Sequence, residues 1–327
     1  MAYWEQRKKQ LYNALESDEK KVKKRISKVI DSEQHRIQNE IAAFYQKYGR
    51  ANVIEYKWLR ENLPQADLDL LMQDMNAFAA KYPQYAHLLP TRMAIYKLDR
   101  LEGLQTSMKL KMYDMAAQEE GIVRGHLDKQ AIRFANGAYQ ELGFGDEFYF
   151  VDDATLRLFV DTPWSNGQNF SQRIWGNTNK LAQYMNTDIA QGFARGDNYR
   201  TLTNQLMQRF GNVSRRDAYR LIYTEGTFIA AEASSLPFRN EGFETYQIVT
   251  AGDAKVCDIC LGLEGKDFDF SVREPGINFP PLHPWCRCTI KVTTPNDADW
   301  IEQYARRHGE SAETRARAKE ILKNVKF

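Results

Sequence analysis

All four cysteines of this chain lie between positions 257 and 288, and one of its five histidines sits among them. Cys257-x2-Cys260 has the spacing of a knuckle, in which a tight turn lets two thiolates converge on one ion. His283-x2-Cys286-x-Cys288 supplies the other half, with twenty-five residues between Cys260 and Cys286. On an extended backbone positions i and i+2 share a face, so Cys286 and Cys288 are expected to reach the same ion. That makes five donors for a tetrahedral site. Either four cysteines bind with His283 beside them, or three cysteines and His283 bind with one cysteine spare.

Thiolate-rich ligation suits zinc, and the paired spacings favour a structural ion. A catalytic zinc keeps one position open for water and leans on histidine and carboxylate, whereas thiolates here can fill all four places. Free cysteines also pack as small hydrophobes, but that does not explain why none occurs elsewhere in 327 residues. A reducing cytoplasm argues against disulfides, and a Cys-x-Cys pair is poorly placed to bridge to itself. A small unit with few strands needs a staple, so residues 245–294 are expected to fold only with metal.

One further group has the types needed for acid–base work: Glu225, Asp253 and His283. The structural alternative has Glu225 and Asp253 tie helices to the zinc unit through Arg287 or backbone donors, and it is the preferred reading. The chain has no GxxxxGK[ST], GxGxxG, Gly-x-Ser-x-Gly or HExxH motif, so the familiar phosphate-cradling and hydrolase signatures are absent. His35, His87, His126 and His308 have no partners at ligand spacing and read as surface or satisfied residues.

The elements that must hold the cluster are mostly helical. Leu11, Leu15, Val22, Ile26, Val29, Ile30, Ile37, Ile41, Phe44 and Tyr48 form an apolar stripe ending at Gly49. The basic run Lys20, Lys21, Lys23, Lys24, Arg25 and Lys28 on it reads as a solvated face. Leu63-Pro64 and Tyr82-Pro83 break the pattern, with Asp67 a candidate N-cap between them. Helical spacing then runs from Thr91 to about Leu142, with Met93, Met108, Met112 and Met115 as adaptable packing residues. Leu181 to Phe193 forms a helix stopped by Gly196, and Leu202 to Phe210 one stopped by Gly211. Ser214-x-x-Asp217 fits a capping box opening a third helix that ends before Pro237. After residue 240 the period becomes two: Tyr246/Ile248/Thr250, Phe268/Phe270/Val272 and Cys286/Cys288/Ile290/Val292 read as three short strands.

The expected fold class is therefore mainly α with a small α+β, zinc-stapled C-terminal unit. Its expected segments are a helical region 1–145, a helical core 146–240, a β-rich zinc unit 241–295 and a helical tail 296–327. Hydrophobic residues make up 43% of the chain and charged ones 27%, enough apolar material to exclude wholesale disorder. With 45 basic against 43 acidic residues the chain is not a polybasic nucleic-acid coat. The arginines at 195, 200, 209, 215, 216 and 220 make the middle locally basic; a solvated face is the usual meaning and a contact to DNA or a partner protein the sharper one. No apolar run is long enough for a membrane span, and the N-terminal sequence lacks a secretory h-region.

The run Thr250-Ala251-Gly252-Asp253-Ala254-Lys255-Val256-Cys257-Asp258-Ile259-Cys260, then Gly265-Lys266, then Pro280-Pro281-Leu282-His283-Pro284-Trp285-Cys286-Arg287-Cys288, resembles a known family. This pattern of an aspartate, CxxC, a Gly-Lys turn and PPxHPxCRC is similar to that of the phage Mu F-like minor head proteins, also called phage head morphogenesis proteins. Thr224-Glu225 fits the upstream helix of that family, with Tyr223 where a basic residue is usual. The resemblance spans roughly residues 160–294. It implies a minor capsid protein of a tailed phage or prophage, made in the bacterial host cytoplasm and carried in the virion head near the portal vertex. Implied partners are the portal protein, other phage head proteins and phage DNA, in head assembly and DNA packaging or ejection, without enzymatic activity. The competing readings are a metal-dependent hydrolase or nuclease, and a DNA-binding component of the ejection machinery.

Overall fold

The computed structural model describes residues 3–142, 149–254 and 256–292; the expected tail 296–327 lies outside them. Helices dominate: α1 (Tyr3–Tyr48), α2 (Tyr56–Leu59), α3 (Gln65–Lys81), α4 (Arg92–Ile95), α5 (Arg100–Glu141), α6 (Asp153–Asp161), α7 (Phe170–Arg195), α8 (Tyr199–Asn240) and α9 (Asp258–Leu263). Strands β1 (Thr245–Val249), β2 (Asp267–Asp269) and β3 (Thr289–Lys291) form one antiparallel sheet in the order β2-β1-β3. The mainly helical expectation is met. No helix among the described residues is long and apolar enough to cross a membrane.

The chain forms two compact units, each discontinuous in sequence. The first draws on the described residues of three segments, up to Glu19, within His126–Gly167 and from Tyr223; the second on Lys20–Gly125 and Gln168–Ile222. Helices α1, α5 and α8 contribute residues to both.

In the second unit the α1 stripe is buried as its spacing predicts: Ile26, Ile30, Ile37 and Ile41 have no exposed surface. The basic run on that helix is half-buried at Lys23 and otherwise exposed, and Lys23 Nζ lies 5.4 Å from the centroid of the Tyr219 ring. Helix α3 opens at Pro64 without a side-chain cap. Asp67 is instead inside its first turn, accepting from Tyr48 Oη (2.5 Å) and pairing with Lys47. Met108, Met112 and Met115 are buried on α5, whereas Met93 is exposed. Helix α7 begins with a full capping box between Asn169 and Gln172. It ends where Gly196 takes a left-handed φ of 75°, the conformation for which glycine is favoured at a helix end.

Helix α8 departs from expectation. It runs unbroken through Gly211, Ser214 and Pro237. Gly211 is not a stop: a Cβ there would stand 2.7 Å from Arg215 Nη1 and 2.9 Å from Gln34 Oε1, so its role is close side-chain approach. Ser214 lies in the helix interior and is buried, not at a cap. Glycine in a helix costs only about 1 kcal/mol, which burial of Leu206, Phe210, Ile222 and Phe228 outweighs. Pro237 falls in the last turn, and the helix closes with Phe243 N–H donating to Phe238 O (3.0 Å).

In the first unit the sheet carries the core. Tyr246 and Ile248 on β1, Phe270, Phe279, Leu282 and Ile290 cluster with Cys260, Cys286 and Cys288. The Tyr246 ring lies 4.7 Å from Phe270 and 5.4 Å, edge-on, from Phe279. The strands are shorter than their periodicity. β2 stops at Asp269, whose carboxylate accepts from Ser271 N–H (2.7 Å) and turns Phe270–Val272 into a 3-10 turn; such local side-chain bonds compete with sheet pairing. β3 begins only at Thr289, after the two cysteines.

Candidate metal centre

Cys257 stands immediately before α9 and Cys260 lies inside it, so one turn of helix brings the two thiols to one side. Their shared neighbour is His283: its Nε2 lies 3.1 Å from Cys257 Sγ and 3.2 Å from Cys260 Sγ. Cys286 Sγ is 4.0 Å from Cys260 Sγ. The donors fall into two overlapping triads, Cys257–Cys260–His283 and Cys260–Cys286–Cys288, each able to hold a metal ion. All five residues proposed from spacing are thus gathered, with Cys260 common to both triads.

The donor set fits a tetrahedral thiophilic ion. Bond lengths of about 2.3 Å to sulfur and 2.0–2.1 Å to nitrogen place sulfurs about 3.8 Å apart and sulfur from nitrogen about 3.6 Å apart. The two sulfur–nitrogen separations and the Cys260–Cys286 sulfur separation lie within half an ångström of those values. His283 Nδ1 donates to Pro284 O at 2.7 Å. That bond places a proton on Nδ1 and aims Nε2 at the thiols, the orientation a ligand histidine needs.

The electrostatics of four crowded thiols favour a cation among them. Burial pushes the Cys260 thiol up to about 12. The Cys288 thiol, hydrogen-bonding to Cys286, pulls Cys286 down to about 5, and the same bond, with burial, pushes Cys288 far up. The backbone N–H of Cys260 lowers Cys257. Burial alone would lower His283, but its bond to Pro284 O and the charges of Cys286 and Cys257 raise it. Each ionised thiol therefore hinders the next, and a divalent ion would relieve that mutual repulsion.

Supports for the cluster come from α8 and the approach to β3. Thr227 Oγ1 donates to Cys286 O at 2.6 Å in a buried setting. Trp285 adopts a left-handed φ of 68°, a strained conformation for a bulky residue. Its N–H donates to Thr224 Oγ1 (3.2 Å) and its ring lies 5.1 Å from that of Tyr223. Cys286 and Cys288 are 1% and 4% exposed while Arg287 between them is half-buried, so the inward alternation expected of a strand already operates before β3.

The acid–base candidates have separate engagements. Glu225 is buried and accepts from Trp164 Nε1 (2.8 Å), whose ring stacks on Phe228 at 4.9 Å. Asp253 is exposed and takes both Arg287 Nη atoms (2.6 and 2.7 Å). His283 faces the thiols. Spacing gave no sign of Trp164 or Thr227, which act from 61 and 59 residues away. Nor did it show that Arg273 would grip Glu232 through Nε and Nη2, both at 3.1 Å.

Other histidines divide. His35 and His87 are exposed, and His308 lies outside the described residues. His126 corrects the surface-or-satisfied reading: it is buried and its Nε2 has no hydrogen-bond partner among the described residues. Burial lowers it to about 4, keeping it neutral. Several arginines of the middle block are paired: Arg195 with Asp197, Arg209 with Asp188, Arg215 with Asp31, and Arg216 and Arg220 with Asp217.

No curated protein and no solved structure matches the chain. Residues 183–291 match the model of the family described as Phage Mu protein F like protein, the same family that the cysteine motif resembles.

Proposed function

We propose that this chain is a minor capsid and head morphogenesis protein of a tailed phage or prophage, with a structural zinc ion at Cys257, Cys260, His283 and Cys286. The observation that carries the reading is the coincidence of the family match with the thiol–imidazole cluster at its C-terminal end. In this reading the ion, when bound, supplies charge compensation and cross-linking. The protein's own residues do the rest: Thr227 and Thr224 hold the loop, and Pro284 O fixes the imidazole. Cys288, buried beside Cys286, is the spare donor.

The protein then acts by assembly in the virion head, in contact with the portal protein, and not by turnover. Glu225, committed to Trp164, and Asp253, committed to Arg287, are structural in this account. Elemental analysis of the purified chain tests the metal: one zinc per chain is expected, and a folded, zinc-free protein overturns it. Co-expression with the neighbouring portal and scaffold proteins tests the partner. Stable co-purification with portal is expected. Hydrolytic or nuclease activity lost in Glu225→Ala, or DNA binding with a steep salt dependence, would favour the competing readings.

A further inference from the structure

A small, partly open cavity in the second unit collects polar side chains from three helices: Glu119 of α5, Asn177 and Thr178 of α7, and Ser214 and Asp217 of α8. Its volume is about 20 Å³, room for one water-sized particle. Aliphatic side chains close the remainder. One of the polar groups is stranded and another is deeply buried. Ser214 is 7% exposed and its Oγ has no hydrogen-bond partner among the described residues. Glu119 is also 7% exposed, with the Asp217 carboxylate as its charged neighbour. A buried hydroxyl and a buried carboxyl are each costly without partners, and one ligand shared between them removes both costs.

The donors identify the ligand's chemistry. All are oxygens or an amide, with no sulfur or imidazole, which selects a hard cation. No basic side chain lines the cavity; Arg216 and Arg220 reach Asp217 (3.3 and 3.6 Å) from its own helix. The space leaves no room for a retained hydration shell, which disfavours magnesium, whereas calcium sheds water and accepts irregular oxygen sets. We propose that this cavity is a calcium site, in which the Glu119 and Asp217 carboxylates bind one Ca²⁺ together with the Ser214 hydroxyl and the side-chain oxygens of Asn177 and Thr178. The electrostatics agree. Burial and the neighbouring Asp217 push the Glu119 carboxyl up to about 8, so the acid stays protonated unless a cation offsets the repulsion. The site shares no residue with the cysteine cluster.

Titration of CaCl2 into the full chain in divalent-free buffer at pH 8, followed by calorimetry and melting temperature, tests this. One saturable Ca²⁺ per chain, a raised melting temperature and weaker binding of MgCl2 are expected. Glu119→Gln keeps the side-chain shape and should lose saturable binding while retaining its helical circular dichroism. Ser214→Ala should bind measurably more weakly, and it decides the matter if Glu119→Gln does not fold. No saturable calcium binding by the wild type overturns the proposal. Binding undiminished in Glu119→Gln or in Ser214→Ala overturns it equally, and the cavity is then a place for a proton or a water.

Discussion

The cysteine-bearing sheet and the core built on α3, α5 and α7 solve the problem of order in opposite ways. In the helical core, Leu63, Leu68, Leu71, Met75, Phe78 and Ile95 pack with Leu110 and Tyr113. One buried carboxylate there, Glu120, accepts from Tyr85 Oη (2.5 Å) and Trp175 Nε1 (2.8 Å). Each buried large side chain contributes about 1.5–3 kcal/mol, and the contributions accumulate. The sheet has strands of five, three and three residues, too short for independent stability. It concentrates its cohesion in a few side chains around one point. The first arrangement degrades gradually under substitution; the second should fail at once.

The largest test of that contrast is removal of the proposed zinc. Structural zinc in small units contributes roughly 10–16 kcal/mol, so a strong chelator or Cys260→Ser should unfold the sheet. Hydrogen exchange across 245–292 should then rise to the unprotected rate while α3, α5 and α7 stay protected. Equal loss in both regions would erase the distinction.

Next in size is the pH response of the helical unit. Glu119 is raised from an ordinary value of 4.5 to about 8. Between those values the folded chain holds a proton that the unfolded chain has released. Stability without calcium should therefore fall as pH rises, by roughly 1.4 kcal/mol per unit, and level off above pH 8. In Glu119→Gln that slope should vanish, as read by denaturant melts at several pH values.

Trp175→Phe should cost about 1.5–3 kcal/mol, because it deletes one donor to the buried Glu120. The change should show as a lower denaturant midpoint without any loss of zinc. Smallest is Asp253→Asn. The Arg287–Asp253 pair is paired at both ends but sits at the surface, where such pairs contribute about 0–1 kcal/mol. A much larger cost would mean the pair helps to set the cysteine loop.

What the chain disclosed by itself follows from how local each signal was. Cys257-x2-Cys260, His283 and the Cys286/Cys288 alternation lie within thirty-two positions, and all five side chains are gathered as their spacing suggested. The α1 stripe and the Gly196 stop were legible for the same reason. Gly211, Ser214 and Pro237 misled because their local preference for a boundary is weak against the packing of α8. The strand expected through Val272 ended early because of Asp269, whose side-chain bond to Ser271 leaves no periodic trace. Trp164, Thr227 and the Tyr85–Glu120–Trp175 group had no signature, since each joins positions distant in sequence and nothing in spacing announces the meeting.

The discontinuity of the first unit has a consequence for the order of events on the ribosome. The residues up to Glu19 are made before the segments they belong with, the described parts of His126–Gly167 and of the chain from Tyr223. The β3 edge, which completes the sheet beside β1, is made late. Contacts of such high sequence separation form slowly. The second unit contains Lys20–Gly125 and Gln168–Ile222, so all of its chain has emerged while β1 is still unmade. Synthesis should therefore pass through a stage in which one unit is complete while the start of α1 awaits partners. That stage would expose the Leu11–Leu15 stripe to chaperones until the cysteine loop is translated.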